Sequence, residues 1–107
     1  MSTGAPKKVG FFVGARPSDP SFTEALQSAE SSLGSDASQV YLYFIHHGVE
    51  GLNHPSIQTL ADQSANLFAC SYSVRQHGVE PPDQVIQSGL SMLSDLIAGV
   101  DEFHSYT

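Results

Sequence analysis

The chain has 107 residues, 40% of them hydrophobic and 14% charged, a composition typical of a single soluble globular domain. Eleven Asp and Glu residues against four Lys and Arg give a net charge of −7, which repels phosphate backbones and anionic lipid. We therefore expect no direct nucleic-acid partner and no membrane association. Residues 1–6 are small and polar and are expected to be flexible, whereas residues 7–107 are expected to form one domain.

The first part of the chain predicts a strand, a helix and a second strand. The near-continuous apolar run at 7–15 is typical of a strand buried on both faces, as in a parallel sheet. Ser21 and Glu24 have the spacing of a capping box, which predicts a helix that begins there and ends at Gly34. The run at 39–45, rich in β-branched and aromatic residues, predicts the second strand.

The middle of the chain continues this alternation. Pro55 suits the first turn of a helix whose apolar face carries Ile57, Leu60 and Ala61. A third strand at 65–69 then leads directly into Cys70, and a short helix is predicted at 72–76, stopped by Gly78.

The last part predicts a brief extended piece at 84–87, one more helix ending at Gly99, and a final strand at about 100–105. Alternating strands and helices favour βαβ units. The predicted fold is therefore α/β, a single-domain three-layer sandwich with a mostly parallel sheet of about five strands and helices on both faces. One apolar stripe is expected along the last helix, formed by Leu90, Leu93, Leu96 and Ile97.

No cofactor is expected. The glycines of the first strand lack the GxGxxG and P-loop patterns. His46, His47 and His54 are close in sequence, but no pair has i,i+4 spacing and no carboxylate completes an obvious triad, so no metal site is expected. The ends of parallel strands are where ligand crevices form, so His46 and His47 are predicted to line a binding site.

Cys70 is the candidate nucleophile, and it is the only cysteine in the chain. A single cysteine rules out a disulfide framework or a CxxC pair within the subunit. A lone cysteine is often a small buried hydrophobic residue. Against that, Cys70 lies where a strand ends and a helix begins, so free backbone N–H groups could stabilise an accessible thiolate. Arg75 and His77 follow, and could add positive potential or serve the cysteine of a neighbouring subunit.

Four stretches together resemble the DsrE/DsrF-like family of small α/β proteins of sulfur metabolism. These are "KKVGFFVGARPSDP" for the first strand and loop, "FIHHGVEGL" for a strand end and its loop, "ANLFACSYSVRQHGVE" for the cysteine strand and helix, and "SGLSMLSDLIAGVDEFHSY" for the closing helix and strand. The order and spacing of these stretches are the specific part of the resemblance. One departure is "RQHG", which stands where many members have Arg-Gly directly.

The resemblance implies a sulfur carrier or sulfurtransferase-like subunit in which Cys70 holds a persulfide and passes sulfur to a partner thiol. It implies donor and acceptor proteins as partners and a homo- or hetero-oligomer, commonly a trimer or hexamer. The alternative is a non-catalytic oligomeric binding or regulatory module with an inert cysteine, and a small-molecule binder near His46, His47 and Cys70 is a third. A free thiol and the lack of a leader pattern favour a cytoplasmic location.

Overall fold

The computed structural model describes residues 7–34 and 38–107, so the prediction for residues 1–6 lies outside the described part. The described chain is a five-stranded, all-parallel sheet with helices on both faces. This arrangement confirms the predicted fold class. In chain order the elements are β1 (Lys7–Val13), α1 (Pro20–Leu33), β2 (Ser38–Phe44), a 3₁₀ helix (His46–Gly51), α2 (Pro55–Asp62), β3 (Asn66–Cys70), α3 (Ser71–Gln76), β4 (Val85–Ser88), α4 (Leu90–Gly99) and β5 (Glu102–Tyr106).

The strand order, β4-β3-β2-β1-β5, determines which face each helix covers. The first three crossovers step in one direction across the sheet, and the last returns over three strands to place β5 beside β1. Right-handed crossovers therefore place α1, α2 and α3 on one face and α4 alone on the other. Because residues alternate along β3, Ala69 packs into the core under the first three helices, whereas Cys70 faces the α4 side with Tyr43 and Leu96.

Two details of the helices differ from the predictions. Helix α1 begins at Pro20 with Asp19 as its N-cap, so Ser21 is not the capping residue, and no side-chain capping hydrogen bond forms. Proline is pre-organised for the first helical position, and it starts the helix before the expected capping box. In α4 the expected stripe is only partly buried, because Leu96 is packed against the sheet while Leu90 and Ile97 are 61% and 48% exposed.

The 3₁₀ helix was not predicted, and it is held tightly against β1. At Gly48 a Cβ would lie 2.1 Å from the Val13 carbonyl oxygen, and at Gly51 it would lie 2.2 Å from the Phe22 ring. Only glycine allows this approach, so these two positions fix the 3₁₀ helix, with its histidines, at the carboxyl end of the sheet. None of the helices in the described part of the chain combines the length and apolar character that crossing a membrane requires.

Candidate functional site

Cys70 lies where the sequence predicts it, at the end of β3 and in the N-cap position of α3, with φ −67° and ψ 119°. Its position beside Ser88 of β4 places it at the carboxyl edge of the sheet. The expected accessibility is not found, because Cys70 is only 4% exposed. The thiol is buried on the face of the sheet that α4 covers. The spacing of the sequence did not indicate which face Cys70 would lie on.

The surroundings of the thiol nevertheless favour the thiolate. Burial acts to raise the pKa of Cys70, but the Ser73 N–H and hydroxyl, the Tyr72 N–H and the Tyr43 hydroxyl together hold it below the ordinary value for a cysteine. The Cys70 side chain itself makes no capping hydrogen bond at the start of α3. These donors therefore act as a local field of partial positive charge at the start of α3, and a buried cysteine among apolar groups alone would show the opposite shift.

Ser73 connects the cysteine to the 3₁₀ helix that carries His46 and His47. Its side chain is buried, and its hydroxyl oxygen accepts a hydrogen bond from the His46 backbone N–H at 2.9 Å. That leaves the hydroxyl proton of Ser73 free to point toward the sulfur. His46 has a positive φ of 56°, an uncommon conformation for a residue other than glycine. His46 thus supports the Cys70 site through its backbone, whereas its ring is exposed.

Tyr43 is a site residue that sequence reasoning missed. It is completely buried on the α4 side, and its hydroxyl donates to the Gly89 carbonyl at 3.1 Å, at the junction of β4 and α4. Burial and the adjacent Cys70 charge raise the pKa of Tyr43, so it stays a neutral donor. The Ser88 hydroxyl acts on that pKa in the opposite direction, but its oxygen is buried and makes no hydrogen bond within standard distance.

The second feature is a histidine–carboxylate cluster, defined here as His47, Glu50 and His77. Glu50 Oε2 lies 3.3 Å from His47 Nδ1 and 2.9 Å from His77 Nδ1, so one carboxylate oxygen lies against two imidazoles. The ring centres of His47 and His77 are 5.1 Å apart, and the His46 ring lies 4.2 Å from that of His47. The structure therefore brings together three of the predicted site histidines.

Glu50 supplies the carboxylate that the sequence did not reveal. His47 and Glu50 are three residues apart, a spacing that places two side chains on one side of a 3₁₀ helix. A prediction of that helix would have paired them. Hydrogen bonds from His47, followed by those from His77, hold the pKa of the Glu50 carboxyl below its usual value.

Arg16 lies on the far side of the His47 ring, with its Nη2 3.4 Å from His47 Nε2. A guanidinium can only donate, so Nε2 is the acceptor nitrogen and Nδ1 carries the proton that His47 directs toward Glu50. His47 is thus fixed in one tautomer by a cation on one side and a carboxylate on the other.

Arg75 is not brought to the cysteine. It is exposed on the outer side of α3, where it lines a shallow surface hollow with Tyr72 and Gln76. It is also not among the groups that set the pKa of Cys70. His77 likewise lies at the far end of α3, where it joins the histidine–carboxylate cluster.

A separate hollow of about 190 Å³ lies under α4, toward the amino end of the sheet, and none of the predicted site residues lines it. Its walls are mostly apolar. They are formed by Lys8, Tyr41, Phe68, Met92, Asp95, Leu96, Gly99 and Val100.

The chain has no match by sequence but is similar to several solved structures. No protein-family model matches the chain, and no curated protein matches it by sequence. By structure, the chain is similar to the YchN protein of E. coli, with a TM-score of 0.72, 18% identity, and coverage of 94% of this chain and 99% of that one.

Two further solved structures have the same architecture, and both are described as proteins of unknown function. MTH1491 of Methanobacterium thermoautotrophicum is 19% identical over 92% of this chain and 98% of its own, with a TM-score of 0.71. BT1422 of Bacteroides thetaiotaomicron is 14% identical over 92% of this chain and 94% of its own, with a TM-score of 0.72. The likeness shows that this chain shares the fold of these three proteins.

Proposed function

We propose that the protein is a sulfur-carrier subunit of the DsrE-like type, in which Cys70 accepts a sulfane sulfur as a persulfide and hands it to a partner thiol. The observation that carries this proposal is the position of Cys70 at the end of β3 and the N-cap of α3, where the N–H groups of Tyr72 and Ser73 hold the pKa of the buried thiol below its ordinary value. The thiolate is the nucleophile in sulfur exchange, and burial alone would have suppressed it. The resemblance of the cysteine segment to the DsrE/DsrF-like family supports the same function.

The two transfers balance without an external oxidant or reductant. The Cys70 thiolate attacks the outer sulfur of a donor persulfide, a new S–S bond forms, and the donor leaves as its thiolate. An acceptor thiolate then attacks the terminal sulfur on Cys70, takes that sulfur with it, and releases the Cys70 thiolate. In both steps the N–H groups of Tyr72 and Ser73 stabilise negative charge on sulfur.

The hydroxyl of Tyr43 has a defined part in this cycle. It has one proton to donate, and it can direct that proton either to the Gly89 carbonyl or to the sulfur. Ionisation of Cys70 favours the second choice, which frees the Gly89 carbonyl at the junction of β4 and α4. That junction lies beside Cys70.

The proposal includes partner proteins and self-association. Four large apolar side chains are strongly exposed: Tyr72, Ile86, Leu90 and Ile97. The last two lie on α4, the only helix of the described chain on the Cys70 side of the sheet. A homo-oligomer, a trimer or hexamer as the resemblance implies, would cover the exposed side chains of α4 and surround the cysteine with a second subunit. Light scattering coupled to size-exclusion chromatography measures the subunit number.

The test is to incubate the folded protein with a low-molecular-weight persulfide and to measure the intact mass. We expect one added sulfur, lost again when an acceptor thiol is supplied, and no addition in Cys70→Ser. Because the chain has no second thiol, an added sulfane sulfur that a thiol reductant removes must be on Cys70. A wild-type mass that stays unchanged, or an equal addition on the serine variant, would refute the proposal.

The second candidate function is a non-catalytic binding or regulatory module, and the 4% exposure of Cys70 favours it. Labelling with a thiol reagent under native conditions separates the two functions. A sulfur carrier reacts in its folded state at a rate that exceeds global unfolding. An inert cysteine reacts only as fast as the domain unfolds, and its labelling then slows in step with any stabilising additive.

A further inference from the structure

We propose that His47, Glu50 and His77 form a binding site for one divalent transition-metal ion such as Zn²⁺. This site is separate from the proposed chemistry of Cys70 and does not depend on it. Imidazole nitrogen with a single carboxylate oxygen is a donor set that suits zinc and its neighbours, whereas Mg²⁺ and Ca²⁺ require mostly oxygen ligands.

The distances in the cluster match such a site. With metal–ligand bonds of about 2.0 to 2.1 Å, the donor atoms of a tetrahedral site lie about 3.4 Å apart. Glu50 Oε2 is 3.3 Å from His47 Nδ1 and 2.9 Å from His77 Nδ1, and the three donor atoms all lie within 4.8 Å of one another. A small adjustment of side-chain torsions brings all three donors onto one ion.

The backbone holds these donors in place. His47 and Glu50 lie on the 3₁₀ helix, which Gly48 fixes against β1, and His77 is the C-cap of α3. The hydrogen bond from the His46 N–H to the Ser73 hydroxyl ties the two elements together. Pre-positioned ligands lose little conformational freedom when the ion binds.

The site is open to solvent. The side chains of His47, Glu50 and His77 are 30%, 40% and 16% exposed, so an ion can enter without unfolding of the domain. Three protein ligands leave a fourth position for water or for an exogenous ligand, as in zinc sites with an open coordination position. The surplus of acidic residues in the chain adds a weak attraction for cations.

Arg16 weakens the site without preventing it. A metal on His47 Nδ1 needs the proton on Nε2, but Arg16 donates to Nε2 in the metal-free arrangement. Metal binding therefore requires the guanidinium to move away and the imidazole to change tautomer. We infer an exchangeable ion rather than a permanently bound structural one.

The test is calorimetric titration of chelator-treated protein with ZnCl₂, and with MgCl₂ as a contrast. We expect one Zn²⁺ per chain and no heat of binding from Mg²⁺. Glu50→Gln and His77→Gln should each weaken Zn²⁺ binding by at least about tenfold. In the wild type, Zn²⁺ at about 100 times its Kd should raise Tm by about 11 to 22 °C.

Two matched variants make the result specific. His104→Gln is the control for surface histidines, because His104 also contacts a carboxylate, Glu102 at 3.2 Å, but has no second imidazole partner among the described ion pairs. Cys70→Ser is the control for binding at the thiol. Both should bind Zn²⁺ as the wild type does, and Co²⁺ should give the visible absorption of a four-coordinate ion only when the cluster is intact.

The proposal is overturned if Glu50→Gln binds Zn²⁺ as tightly as the wild type, or if His104→Gln or Cys70→Ser abolishes binding. Glu50 is exposed, so its variant is expected to fold and provides this test even if His77→Gln does not. Comparison of the metal-free Tm of each variant with that of the wild type shows whether a loss of affinity reflects misfolding.

Discussion

Substitution of Gly48 by alanine should destabilise the whole domain and disturb the histidine–carboxylate cluster. A Cβ at this position would lie 2.1 Å from the Val13 carbonyl oxygen and 2.9 Å from the carbonyl carbon, whereas ordinary contact begins near 3.4 Å. The 3₁₀ helix and β1 must then separate by about 1 Å. Neither can yield cheaply, because the same carbonyl oxygen accepts the Ile45 N–H at 3.0 Å at the end of the sheet.

The cost follows from these contacts. Overpacking against fixed backbone costs about 1 to 3 kcal/mol, and weakening the buried hydrogen bond adds about 1 kcal/mol. We therefore expect Gly48→Ala to lose at least about 2 kcal/mol of unfolding free energy, which lowers Tm by about 8 to 16 °C in a domain of this size. Zinc affinity should fall as well, because His47 and Glu50 move with the 3₁₀ helix while His77 does not.

Urea denaturation followed by circular dichroism measures the change in stability, and calorimetry at a temperature where the variant is folded measures the zinc affinity. Gly99→Ala is the matched control, because a Cβ there would meet no atom within 4 Å. It should be neutral or slightly stabilising, since alanine is the better helix former. A Gly48→Ala protein with the wild-type urea midpoint would show that the close approach of the 3₁₀ helix to β1 is not the constraint described above.

Three further substitutions test separate parts of the structure. Ser73→Ala should raise the pKa of Cys70 and reduce its thiolate fraction at neutral pH, because it removes the hydroxyl donor and keeps the backbone N–H. Ultraviolet thiolate absorbance, measured against Cys70→Ser, follows the titration, and an unchanged titration would exclude the Ser73 hydroxyl as a donor. Because the folded-state pKa is lowered, ionisation of the thiol adds stability as pH rises through that pKa, and this gain should shrink in the alanine variant. Arg16→Gln should tighten zinc binding by removing the competing guanidinium, and a weaker or equal affinity would contradict the tautomer argument. Leu96→Ala should lower the free energy of unfolding, measured by urea denaturation, by about 2 to 4 kcal/mol. Ile97 is half-exposed on the same helix, so Ile97→Ala should lower it by less than about 1 kcal/mol, and equal losses would refute the burial pattern of α4.

Local patterns in the sequence were enough to predict the order of strands and helices. Pro55, Gly78 and Gly99 marked helix ends correctly, since each acts through its own backbone preferences. One error arose where neighbouring residues competed for one role. The capping box predicted that α1 begins at Ser21, but Pro20 is already the first helical residue. The fixed φ of proline favours that position.

The sequence by itself determined that Cys70 ends a strand and begins a helix, because that position follows from hydrophobic pattern and turn chemistry alone. Only the tertiary structure decided that the thiol is buried under the α4 side, since the return of the last crossover to β1 is a property of strand order. The cluster of His47, Glu50 and His77 was likewise decided by tertiary structure. Its members are up to 30 positions apart in sequence, and they meet because the 3₁₀ helix and the end of α3 pack together at one edge of the sheet.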